Sequence, residues 1–458
     1  MSDLVVVRPG VYHDSVTLMR VSRDIGAVPG VEAAIVAMAT ELNLELAAQL
    51  GFEPPEAAPS DLLIAIRAAG GAARDAADEV DRRLAALAEA GRTARSAGEP
   101  PHRTTRAAAR AHDADIVLVS VPGEHAFAEA LDAVEAGMSV MVFSDNVPVE
   151  QEILLKDRAR ERGVLVMGPD CGTACVGGVG LGFANVLRPG PVGVVAASGT
   201  GAQQVTCLLD HAGVGVSHVL GVGGRDLSAE VGGRSALRAL AALDADPATE
   251  LIVLISKPPA PEVALTVRAA VQGLATPAVV AMLGPGGDDL TSAAEAALRA
   301  LGRPVPAWPT WPAQSPAVAA AGAVHGIYSG GTLCAEAALI AQGGSFTDFG
   351  ADAYTRGRPH PMIDPTARLA ALAAVPSGDV ALLDVVLGHG ADPDPAARLA
   401  PEVAGAVRRG VRVVAALVGA QGDPQRPEHQ AMTLHQAGAA VFASNAQAAR
   451  YASGKGLS

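Results

Sequence analysis

Apolar residues follow a repeating rhythm through most of the chain. Between residues 103 and 188, the aliphatic runs ADIVLVSV, SVMVFSD and VLVMGPD alternate with HAFAEALDAVEAG and EQEILLKDRARERG, where apolar positions recur at helical spacing and a glycine closes each stretch. Unbroken apolar runs separated by such helices predict parallel strands covered on both faces, so a Rossmann-like domain is expected here. The rhythm resumes at Pro191 with VGVVAASGTG, HVLGVGG, ELIVLISKPP and PAVVAML. It pauses in the proline-rich GRPVPAWPTWPAQSP, an extended linker by composition, and returns in DVALLDVVLG, VRVVAALVGA and VFAS. The opening differs: LVVV, DSVTLMRVSRDI and VEAAIVAM read as strand, helix and strand of a small α+β unit, and residues 60–96 as a connector helix stopped at GEPP. The expected fold class is α/β, with parallel-sheet domains behind that small unit and divisions at 1–102, 103–188, 189–312 and 313–458.

Composition narrows the function classes. The 458 residues are 50% hydrophobic but only 3% aromatic, so the cores must be built from Ala, Val, Leu and Ile. A formal charge of -14 without a basic run excludes nucleic acid as an expected partner. Cys171, Cys175, Cys207 and Cys334 form no C-x-x-C pair, so neither a disulfide framework nor a metal site is expected, and a reducing cytoplasm fits. The N-terminal MSDLVVVRPG lacks the features of a secretory signal. The uncharged stretch 189–209 reads as strand, loop and helix rather than a membrane span.

In open α/β sheets chemistry gathers where strands run into helices, because helix N-termini expose unpaired N–H groups. The clearest such ending carries Ser198, Gly199, Thr200 and Gly201, an expected phosphate or carboxylate cradle whose plain alternative is a capped tight turn. A second carries Gly388, His389 and Gly390 before DPDP, which is also an ordinary helix start. A third, DAYTRGRPHPMIDP, brings Arg356, Arg358 and His360 together on a stiff loop; paired guanidinium forks suit a small anion, the alternative being surface ion pairs. Smaller signals at strand ends are Asp145 and Asn146, Asp170, Gly223, Gly224 and Arg225, and Lys257, each equally readable as a turn or cap residue. Cys171 has no histidine placed beside it in sequence and is a poor candidate nucleophile.

The strings VEAGMSVMVFSDNVP, GVLVMGPDCGT, GVVAASGTGAQ and GVGGRD resemble the α subunit of succinyl-CoA synthetase, and the third domain resembles the CoA-ligase domain of that enzyme's β subunit. Together with DSVTLMRVSRDI, KPP, YSGGTL and YTRGRPHPMIDPT, they make the whole chain similar to the FdrA family. The resemblance implies Rossmann-like and flavodoxin-like domains and a phosphate held between two opposed helix N-termini, one at Ser198, Gly199 and Thr200, the other near Gly388, His389 and Gly390. It implies a subunit of an oxamate-type carbamoyltransferase, converting oxalurate and phosphate to oxamate and carbamoyl phosphate. In that reading Arg356 and Arg358 clamp phosphate or carboxylate, and His360 or His389 handles a proton. Asp145, Asn146, Asp170, Gly223, Gly224, Arg225, Lys257, Gly330 and Gly331 then line the substrate. The alternatives are an acyl-CoA ligase subunit, for which CoA is the implied cofactor, and a non-catalytic Rossmann-type binding protein. Companion subunits and self-association are implied partners. Two departures stand out: TPAVVAMLGPGGDDLTSA has no histidine where the ligases carry phosphohistidine, and no ATP-grasp domain is present.

Overall fold

The computed structural model describes residues 2–11, 13, 15–69, 71–93, 102, 104–284, 287, 289–311, 322–355 and 358–456. They cluster into two units, Met1–Ala107 with Asp352–Pro359, and Ala108–Ala351 with His360–Ser458.

The first unit is a three-stranded antiparallel sheet whose order is Ser2–Arg8, Leu62–Ala68, Val31–Met38. Its central strand, LLIAIRA, lies inside the segment expected to be a connector helix. That expectation fails because both faces of the strand are covered, so its apolar run shows no alternation. Helices Ser15–Gly26 and Ala72–Thr93 cover one face through Leu18, Val21, Ile25, Val80 and Leu84, while Ala47 and Phe52 cover the other. The second of these helices is therefore core, not connector.

The second unit holds three sheets. The smallest is parallel, Ile116–Val119, Ser139–Val142 and Val166–Met167, with helices Gly123–Glu135 and Val149–Arg162 as expected from the sequence rhythm. The next has the order Ala278–Met282, Leu251–Ser256, Pro189–Ala197, Val216–Gly221, Thr173–Val176, Val179–Gly182; its first four strands are parallel and the last two form an antiparallel hairpin. The last has the order Thr310–Trp311, Ala440–Phe442, Arg412–Val418, Val380–Val386, Val324–Tyr328, Ser345–Asp348, parallel except at Thr310–Trp311. Part of the expected linker thus pairs as an edge strand; residues 312–316 lie outside the described residues.

A buried ionic network ties helix Val149–Arg162 of the smallest sheet to the loop after strand Val216–Gly221. Lys156 Nζ donates to Glu152 Oε1 and Asp226 Oδ1, each at 2.7 Å, and to the Val222 carbonyl at 3.2 Å. Asp226 also accepts the Ser235 and Ala236 amides at 3.0 and 2.8 Å, fixing the start of helix Arg234–Asp244. All three charged side chains are at most 1% exposed. Removing one member strands the others in low dielectric, so Lys156→Met is expected to lower stability by about 3–5 kcal/mol. A urea midpoint within error of the parent's would show that the network contributes nothing.

Candidate functional site

Strand Pro189–Ala197 ends at Ser198, which is extended (φ -169°) and caps helix Gly199–His211. Its Oγ accepts the Gly201 N–H at 2.9 Å and donates to Thr332 Oγ1 at 2.6 Å. Thr332 belongs to the first turn of helix Gly331–Ala341, which follows strand Val324–Tyr328 of the other large sheet. Two helix N-termini therefore touch. Glycine permits the approach: a Cβ on Gly330 would lie 2.5 Å from Thr200 Oγ1, and one on Gly331 would lie 2.4 Å from Asp348 Oδ2 and 2.9 Å from Lys257 Nζ. First-turn amides have no intrahelical partner, and the positive dipole ends add to the ammonium of Lys257, which makes no ion pair among the described residues. The arrangement can hold a small anion.

Buried polar groups hold both tips in place. Asp384, alone in the apolar strand Val380–Val386, accepts the Ser329 and Gly330 amides at 2.8 Å each and the Ser329 hydroxyl at 3.0 Å, with Arg368 Nη2 at 2.8 Å as counter-charge. On the other side Gln204 donates to the Ala443 carbonyl and accepts the Asn445 amide, while the Asn445 side chain donates to the Leu333 carbonyl and to Glu336. Sequence reasoning missed Asp384, Gln204, Glu336 and Asn445. The available signal was a lone carboxylate inside VALLDVV.

Glu336 is buried, accepting the Leu290 amide at 2.6 Å and the Asn445 side chain at 2.7 Å. Burial pushes its carboxyl from 4.5 up to about 7, the Asn445 hydrogen bond opposing the shift. The folded protein thus keeps a proton that the unfolded chain loses between those values. The stabilisation is full below pH 4.5 and is lost as pH rises through 7. The fall should be roughly 3 kcal/mol, and Glu336→Gln should flatten it. Urea midpoints across that window check this, and an unchanged slope in the variant removes Glu336 as the source.

The remaining candidates separate. No helix starts at Gly388, His389 or Gly390: the helix there is Pro395–Arg408, capped by Asp394 with Pro395 in its first turn. Its opening amides are already taken, Ala396 N–H by Gln430 Oε1 at 2.8 Å and Ala397 N–H by Asp394 Oδ1 at 3.3 Å. At the turn itself Gly388 N–H donates to Gln425 and His389 N–H to the Ala184 carbonyl, leaving the His389 side chain exposed. Among the described residues the helix that begins against Ser198 is Gly331–Ala341, and none begins at the expected Gly388 turn. Asp145, Asn146, Asp170, Gly223, Gly224 and Arg225 gather around the smallest sheet's strand ends: Gly224 approaches Asp170, and Arg225 holds the Val147 carbonyl at 2.7 Å and Glu152 at 2.9 Å. His360 lies against Phe183 and ionises near 4, lowered first by burial and then by Arg368. Arg358 is exposed in the segment Asp352–Pro359 of the first unit, and Arg356 lies outside the described residues. Burial raises the Cys171 thiol to about 12, so it carries no thiolate at neutral pH.

Residues 327–454 match the CoA-ligase family, and residues 1–101 match the family described as AllF, heavy metal-associated domain. The architecture is that of a succinyl-CoA synthetase α-like, CoA-ligase-like protein. "Uncharacterized protein YahF" of Escherichia coli (strain K12) is 36% identical over 504 aligned positions, covering 97% of each chain. The chain belongs to the FdrA-like family of YahF.

"Succinate--CoA ligase [ADP-forming] subunit alpha 2" of Archaeoglobus fulgidus is 30% identical over 164 residues, 35% of this chain and 56% of that protein. The chain thus spans a little over half the length of that ligase subunit. The dinucleotide forming acetyl-coenzyme A synthetase 1 of Ca. Korarchaeum cryptofilum, solved with phosphate and ADP, aligns over 78% of this chain and 88% of its own at 16% identity and a TM-score of 0.32. The heavy-metal description of the N-terminal family does not fit the residues present: positions 1–101 contain no cysteine and one histidine, His13, and no metal-holding cluster occurs among the described residues. Nor is any helix among them long and apolar enough to cross a membrane.

Proposed function

We propose that this chain is the acyl-transfer subunit of an acid–thiol ligase-type enzyme and holds phosphate, or the phosphate of an acyl phosphate, between helices Gly199–His211 and Gly331–Ala341. The 2.6 Å contact of Ser198 with Thr332 carries the reading, since it aims two positive helix ends from different sheets at one point. Two such ends contribute about half a charge each, and Lys257 beside Gly331 adds a full one. Preorganised donors of this kind are worth several kcal/mol to charge developing on a departing phosphate.

CoA, when bound, supplies the thiol that attacks the acyl carbon. It would sit at the smallest sheet, where helix Gly123–Glu135 begins without a side-chain cap and its first residue is a glycine lying against the Asp145 and Asn146 carbonyls. Asp145, Asn146 and Asp170 stand exposed around that opening, and Arg225 supports the neighbouring Val147 carbonyl. A second reading, carbamoyl transfer between phosphate and an oxamate-like acid, is favoured by the lack of histidine in residues 276–293. Without phosphohistidine there, the reaction starts from phosphate or carbamoyl phosphate instead of a nucleotide relay. In either reading companion subunits supply what this chain lacks.

Calorimetric titration of the full chain with inorganic phosphate tests the anion site. Lys257→Ala should weaken binding about tenfold through loss of one charge-assisted contact, and Gly331→Ala should weaken it by placing a methyl against Asp348 and Lys257. Loss of an acyl-CoA in arsenate, against carbamoyl phosphate formation from oxalurate and phosphate, separates the two chemistries in the presence of companion subunits. Absence of phosphate binding by the parent protein would end both.

A further inference from the structure

The imidazole of His360 lies beside Gly350 and Asp348, and Asp348 in turn borders Gly331. Its Nδ1 accepts the Met362 amide at 3.2 Å, and this donor sets the tautomer: the lone pair sits on Nδ1 and the ring proton on Nε2. The ring packs on Phe183 with centroids 5.4 Å apart, which fixes its plane. Nε2 makes no hydrogen bond among the described residues, and the residue as a whole is part-buried. A Cβ on Gly350 would meet Nε2 at 2.8 Å and Asp348 Oδ1 at 3.1 Å, while Asp348 Oδ2 crowds the Cβ position of Gly331 at 2.4 Å. Nε2 and the first turn of helix Gly331–Ala341 therefore flank one carboxylate. Among the described residues the charged groups facing the ring are Arg368 and Asp348.

We infer that His360 serves the acyl half of the substrate, as an uncharged donor from Nε2–H to the carbonyl oxygen of an acyl phosphate or thioester, and relays no proton. The inference rests on the phosphate-site reading for its substrate and adds the group that would polarise the carbonyl. A ring that ionises only near 4 is a feeble base at neutral pH, yet it keeps its donor hydrogen through the whole neutral range. In the step so served, the thiol sulfur bonds to the acyl carbon and the carbon–oxygen bond to phosphate breaks. The thiol proton ends on the released phosphate, and His360 leaves the step as it entered.

The test uses full-length protein with isotope-labelled histidine, the His360 signals being assigned by their loss in His360→Gln. A pyridine-like Nδ1, a protonated Nε2 and no titration between pH 5.5 and 8 are expected; that window lies above the value of about 4. A proton on Nδ1, or a midpoint near 6.5, overturns the assignment whatever phosphate does. In calorimetry, His360→Ala should bind inorganic phosphate within about twofold of the parent and acetyl phosphate about tenfold more weakly, with partial recovery in His360→Gln. Equal weakening for both ligands, or none for acetyl phosphate, overturns the donor role. Failure of the parent to bind either ligand refutes the phosphate site and the substrate assigned to His360, while the tautomer result still stands or falls by itself.

Discussion

The structure of the second unit depends on forcing two like ends together. Helix N-termini carry partial positive charge and repel one another, yet helices Gly199–His211 and Gly331–Ala341 meet through a hydroxyl pair at 2.6 Å. The opposition persists because Asp384 holds one tip through three hydrogen bonds and Asn445, Gln204 and Glu336 hold the flank. The repulsion between the two helix ends is held in place by that rigid, hydrogen-bonded surround.

The contrast with the Pro395–Arg408 helix sharpens this. That helix also starts at a strand end, but Asp394 and Gln430 occupy its opening amides, and a carboxylate cap there neutralises the dipole. Where the protein needs a closed helix start it supplies a side-chain acceptor. At Gly331 the cap residue is glycine, with the Asp348 carboxylate and Lys257 beside it, and the facing helix is capped by Ser198.

Much of the architecture could be read from apolar runs: the parallel strands at Ile116–Val119, Pro189–Ala197, Leu251–Ser256, Val380–Val386 and Arg412–Val418 all lie within stretches singled out by pattern. Leu62–Ala68 escaped because a strand buried on both faces has no alternation to distinguish it from a helix segment. The Ser198 turn was legible from local chemistry, since strand, Ser-Gly-Thr-Gly and helix are contiguous. Its opposite number was not. Gly388 and Gly331 both follow strands of the same sheet, and only tertiary placement decides which faces Ser198. Arg368 and Asp384, 16 residues apart, likewise become partners only once helix Thr366–Ala373 packs on the sheet that holds strand Val380–Val386.

The clasp that steadies the paired tips is closed by residues from the far end of the chain. Asn445 meets Gln204 across 241 positions and Leu333 across 112. Contacts of such long span form late, since loop closure must be paid for before they repay it. Docking of helix Asn445–Ala452 therefore completes the support of the two paired helix starts, joining segments that lie far apart along the chain.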